Sequence, residues 1–278
     1  MWSFYIGRFW NIHVRVHFSF IAFLILMGLS EAIRNGIVEA ILSCFFLVLV
    51  FLFVFFHELA HSLVAKHYGI YVDSITLWPL GGIANIETLP DDPILEIKIS
   101  AAGPLMNFAF ALLLLPIAFV VNILAQSSHP GIWKEIAVFF IWLLQINLLL
   151  MLFNLIPAFP MDGGRIYRAW KALNEGYFQA TQKAVKLSNL ISIIMVCLGI
   201  VFIQIGLILV GVFIYIASKE EMGMIESRYY NNVDKEPMYF FYYHPETGNV
   251  QYHFSAREFQ KDFVKLQNFL QNFFSHRK

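Results

Sequence analysis

Apolar residues in this chain run in long, nearly uncharged stretches, not in the short periodic stripes of a water-soluble domain. Six stretches stand out: about Val16 to Leu29, Ile37 to Tyr68, Ile97 to Leu124, Trp133 to Ile156, Leu187 to Ile203 and Gly206 to Ala217. A helix needs about 20 apolar residues to cross the hydrocarbon core of a bilayer. The spacing therefore predicts an all-α polytopic membrane protein with about six transmembrane helices, of which the first and the last two are short. Gln204, Ile205 and Gly206 read as the turn of a tight hairpin between the last two spans, with one long tilted helix plus a stub as the alternative. Basic residues sort to the ends of these stretches. Arg8, Arg15, Lys66, Lys98, Arg165, Arg168, Lys171, Lys183 and Lys186 fall on one side, and only Arg34 and Lys134 on the other. Cytoplasmic loops carry the excess of Lys and Arg, so both termini are expected in the cytoplasm of a multi-pass protein of the cell membrane.

Two regions break the pattern. Between Tyr71 and Glu96, the runs Ser74 to Leu77 and Ile83 to Glu87 flank Trp78, Pro79, Leu80, Gly81 and Gly82, too short and interrupted for a span. They predict a re-entrant strand or hairpin, which is tolerated at membrane depth only where protein or a water-filled cavity covers it. After Ser218 the composition turns polar. Met238 to His244 and Asn249 to Phe254 read as strands around Pro245, Glu246, Thr247 and Gly248. Ser255 and Glu258 match a capping box that opens a helix with Phe259, Phe263, Leu266, Leu270 and Phe273 along one stripe. The chain thus divides into a membrane domain over 1–218 and a small ββα-like soluble appendage over 219–278.

Composition agrees. Of 278 residues, 59% are hydrophobic and 14% charged, with a formal net charge of zero, where soluble domains carry about 25% charged residues. Nothing suggests nucleic acid as a partner. Cys44 and Cys197 lie in apolar stretches without metal or redox spacing and read as buried small hydrophobes. Arg8 and Arg15 precede the first apolar stretch, but no small-residue cleavage site closes it, so it is expected to stay as a span.

The candidate chemistry lies inside the second stretch, where His57, Glu58, Leu59, Ala60 and His61 spell His-Glu-x-x-His. Two imidazoles four residues apart share a helix face and can hold a metal beside the intervening carboxylate. Ionisable groups at membrane depth are rare and costly, so three together point to a working site. A hydrolytic zinc takes about three protein ligands and leaves a position for water. A candidate third ligand is Asp162 in the run from Asn154 to Arg165, where Pro157 and Pro160 end the fourth span and Gly163 and Gly164 let the chain turn. With six spans, His57 falls toward the cytoplasmic end of the second and Asp162 just beyond the fourth, at a similar depth.

These elements, with Asn154 to Gly164 as Asn-x-x-Pro-x-x-Pro-x-Asp-Gly, Ala102-Gly103-Pro104 followed by Asn107, and Pro79-Leu80-Gly81-Gly82, resemble the site-2 protease family of intramembrane zinc metalloproteases. The likeness covers about Gly7 to Ala217 and is to the six-span bacterial and archaeal branch that includes the sporulation sigma-factor processing enzymes. It implies one Zn2+ held by His57, His61 and Asp162, with Glu58 as general base. It implies regulated intramembrane proteolysis of a membrane-protein substrate in the lipid bilayer, and it allows for a regulatory membrane protein. Many relatives carry a nucleotide-binding CBS pair, for which the 60 residues after Ser218 are too few. Gly81 and Gly82 would flank an opened substrate strand, and Asn107 and Asn154 would hold its backbone, since amides both donate and accept; hydrogen bonding between spans is the plainer role for both. Two readings from other classes remain: a membrane transporter whose histidines bind a metal in transit, and an inactive scaffold that binds helices. A prenyl-protein type of membrane zinc protease would take its last ligand from a downstream glutamate. His13 and His17 are expected at the interface, and Arg165 and Arg168 at the cytoplasmic boundary.

Overall fold

The computed structural model describes residues 3–79, 81–86, 92–126, 131–233, 238–244 and 248–254. It divides into two compact units, Met1–Ser218 and Lys219–Lys278. In the first, β1 (Ser3–Phe9) and β2 (Ile12–His17) form an antiparallel hairpin. Its two-residue turn puts Trp10 and Asn11 at φ 48° and 63°, the left-handed pair that matches strand twist. His17 caps α1 (Phe18–Asn35), its Nδ1 accepting from the Ser19 backbone N–H at 3.2 Å. Gly36, at φ 98°, separates α1 from α2 (Ile37–His67).

The end of α2 shows why the chain turns where it does. Gly69 takes φ 80° and donates to the Lys66 carbonyl, while the Ile70 N–H reaches the Ala65 carbonyl, the pairing of a glycine-terminated helix. The chain then enters β3 (Val72–Trp78), which runs parallel to β2 and antiparallel to β4 (Gly81–Ile86). His13 lies opposite Ser74 and Val14 opposite Ile75. The sheet order is β1-β2-β3-β4, so β4 is an edge strand. One face of the sheet buries Ile12, Val72 and Ile75 against Leu59 and Ala65 of α2, which fixes the sheet to the helix carrying His-Glu-x-x-His.

Next come α3 (Pro93–Ala125), α4 (Gly131–Asn154), the short α5 (Asp162–Ala172), α6 (Tyr177–Val201) and α7 (Ile205–Val233). Asp92 caps α3 by accepting from Ile94 and Leu95 N–H, with Pro93 at its first position. The loop between α4 and α5 sits against α6 and α7: Ala158, Met161 and Ile214 form one buried cluster, and the Phe159 N–H donates to Ser188 Oγ at 2.9 Å.

Among the described residues, five helices are long and apolar enough to cross a membrane: α1, α2, α3, α4 and α6. The sixth expected span, Gly206 to Ala217, instead opens α7, whose apolar part gives way to Lys219, Glu220 and Glu221. The expected hairpin is present, with Ile203 at φ 54° in its turn. A hairpin is also present where a re-entrant one was expected, as half of a four-stranded sheet. Its other half, β1 and β2, lies where an interfacial approach to the first span was expected.

In the second unit β5 (Met238–His244) pairs antiparallel with β6 (Gly248–Phe254). The expected helix from Ser255, the turn residues Pro245 to Thr247, Leu80 and Glu87 lie outside the described residues.

Candidate metal centre

The topology brings distant segments to one point. His57 and His61 project from the same face of α2, and Asp162 opens α5 after the Asn154–Met161 turn. Asp162 Oδ2 stands 3.0 Å from His57 Nε2 and 3.2 Å from His61 Nε2, and the two Nε2 atoms are 3.1 Å apart. Both histidines are buried and the Asp162 side chain is 14% exposed. Asp162 lies in α5, outside the spans.

What faces the opposite ring nitrogens decides the chemistry. His57 Nδ1 meets the Asn107 side-chain oxygen at 2.5 Å, and His61 Nδ1 meets the Ile99 backbone carbonyl at 2.7 Å. Both partners are acceptors, so both Nδ1 atoms carry the proton and both neutral rings turn an Nε2 lone pair toward Asp162. Two lone pairs and a carboxylate oxygen then converge with no donor among them. That is a donor set for a cation, and imidazole and carboxylate ligands suit zinc.

Gly103 of α3 supplies room for an ion. A Cβ there would lie on His61 Nε2 and 2.5 Å from His57 Nε2. Gly163 and Gly164 make the Asp162 turn possible in the same way, since a Cβ at either would meet the backbone of Leu155 and Ile156 or of Ala158 and Phe159. Glu58 lies beside the ligands with its side chain against Gly82 of the edge strand β4, where a Cβ would strike it. The general-base candidate thus faces the strand to which an extended peptide can add.

The other expected site residues are placed differently. Asn107 is fully buried, its side chain hydrogen-bonded to those of His57 and Asn147. Asn154 donates to the Leu150 carbonyl one turn back in α4 at 2.9 Å. Gly81, at φ 142°, begins β4 opposite Trp78, and Gly82 pairs with Leu77. Arg168, expected at a cytoplasmic boundary, is buried: it pairs with Glu96 of α3, which also accepts from the Tyr177 hydroxyl of α6 at 2.9 Å. The Arg168 guanidinium also stacks 5.1 Å from the Phe159 ring centre, clamping the loop before Asp162. Asn147 and Glu96 went unread in the sequence. An amide two residues after Gln145 in the apolar α4 and a lone acid heading α3 were the only signals.

Residues 45–129 and 120–202 match the model of peptidase family M50. The chain is 37% identical over 219 residues to a zinc metalloprotease of Methanocaldococcus jannaschii, covering 78% of this chain and 59% of that protein. It is 33% identical over 180 residues to Rip3 of Mycobacterium tuberculosis, covering 62% and 44% respectively. The chain spans about half the length of these relatives. Among solved structures it is similar to the site-2 protease from Methanocaldococcus jannaschii, with a TM-score of 0.56, 34% identity, and coverage of 79% of this chain and 95% of that one.

Proposed function

Because the chain belongs to peptidase family M50, the site-2 proteases, we propose that it is an intramembrane zinc endopeptidase that hydrolyses a peptide bond in or near a transmembrane segment of another protein. The observation that carries this reading is the convergence of His57 Nε2, His61 Nε2 and Asp162 Oδ2 beside Glu58. Zinc, when bound by those three ligands, acidifies a water molecule and polarises a carbonyl.

The residues of the chain do the rest. Glu58 takes a proton from the attacking water and passes it to the amine nitrogen of the departing product. Helical substrates hide their carbonyls in backbone hydrogen bonds, so the target segment must unwind first. Among the described residues β4 is an edge strand, whose outer side offers main-chain partners to the opened segment, and Gly82 keeps that strand in contact with Glu58. His57, Asn107 and Asn147 satisfy one another by hydrogen bonds in the buried interior. A transporter or scaffold gives no role to a glutamate held against the edge strand of the described sheet.

The chain sits in the cell membrane with α1 entering from the cytoplasm and the catalytic group near the cytoplasmic end of α2, in keeping with the distribution of Lys and Arg. The first 218 residues form the catalytic unit, and 219–278 an appendage. The test is Glu58→Gln in proteoliposomes with a transmembrane peptide carrying a reporter at each end. The variant should retain one zinc and lose cleavage, since an amide cannot accept the water proton. Phenanthroline should silence the wild type and zinc restore it. Cleavage by Glu58→Gln at the wild-type rate, or indifference to the chelator, refutes the mechanism.

A further inference from the structure

The two histidine ligands are oriented by different means. His61 Nδ1 faces a backbone carbonyl, Ile99 O, which can only accept. His57 Nδ1 faces a side-chain amide, and an amide has two nearly isosteric ends, one accepting and one donating. If Asn107 turned over, its NH2 group would meet Nδ1, the imidazole proton would move to Nε2, and the lone pair aimed at the ion would be lost.

A second amide settles which way Asn107 faces. Asn107 Nδ2 donates to Asn147 Oδ1 at 3.2 Å, and Asn147 Nδ2 donates to the Leu143 backbone carbonyl at 2.9 Å. That carbonyl cannot donate, so it fixes Asn147, and Asn147 fixes Asn107. Both side chains are fully buried, where a reversed amide finds no water to satisfy it and costs most. Donation thus runs from His57 on α2 through Asn107 on α3 to Asn147 and the Leu143 carbonyl on α4, and its direction is fixed at the α4 end.

We propose that Asn147 is a positioning residue for the metal centre: through Asn107 it holds the His57 proton on Nδ1 and so keeps Nε2 a ligand. This rests on the assignment of His57, His61 and Asp162 as zinc ligands. Partners of this kind are worth about 10- to 100-fold in metal affinity.

The test measures zinc affinity of the full-length protein in detergent by competition with a chromogenic chelator, for Asn147→Leu in two backgrounds. In the native background, Asn147→Leu should weaken zinc about 10- to 100-fold. In an Asn107→Asp background it should change nothing further, because a carboxylate accepts from Nδ1 whichever way it is turned. Wild-type affinity in Asn147→Leu overturns the inference, and so does an equal loss in both backgrounds, including loss of the folded species in both, which is the mark of a merely structural residue. A wild-type protein without zinc affinity refutes the ligand assignment itself, and this inference with it.

Discussion

A single methyl group added at position 103 would press on the Nε2 atoms of both His57 and His61. Gly103→Ala should therefore abolish zinc binding while leaving the helices intact, as equilibrium dialysis alongside circular dichroism will show; retention of one tight zinc would mean that the ion sits elsewhere. Gly82→Ala should behave differently. Its methyl crowds the Glu58 side chain and not the ligands, so the turnover rate should fall by about 10-fold or more, the scale at which misplaced catalytic groups act, with zinc content unchanged. The sequence displayed the groups that the structure brings together, because His57, Glu58 and His61 follow helical spacing inside an apolar run and Asp162 is the one aspartate between Asp92 and Asp234. It concealed the groups that make room or orient. Gly103 matters through atoms about 40 residues away, and Asn147 through an amide in another helix.

Among the elements, α5 depends on a buried clamp. Arg168 joins Glu96 at the head of α3 and stacks on Phe159 of the loop that delivers Asp162. Removing one partner strands the other charge in the interior, which costs about 3–5 kcal/mol, whereas replacing both by apolar residues is often tolerated. Arg168→Met should lower the unfolding midpoint in detergent, and Glu96→Met with Arg168→Met should recover much of the loss. A single variant as stable as the wild type would show that the pair does not hold α5. No local pattern announces a pair separated by 72 residues, which is why Arg168 read as a boundary residue. The strands were more legible. Ile12, Val14 and Val16 alternate with His13, Arg15 and His17, and the first set is buried. The alternation was visible in the chain, but it directly adjoins the apolar run of α1, and the longer signal absorbed it.

For the molecule as a whole, the order of the helices brings His57, His61 and Asp162 to one place. α2 ends shortly after His61, and α4 ends shortly before Asp162, so the motif and the Asp-Gly turn meet on the same side of the helical layer. The apolar stretches predicted this meeting even though the sixth gave way to the charged continuation of α7. The sheet could not be foreseen in full, because pairing β2 with β3 joins segments separated by two long helices. The most direct test of the metal centre is the zinc content of purified Asp162→Ala, measured by mass spectrometry beside the wild type. The three-ligand site predicts one zinc per wild-type chain and close to none in the variant; one zinc retained by folded Asp162→Ala would contradict it.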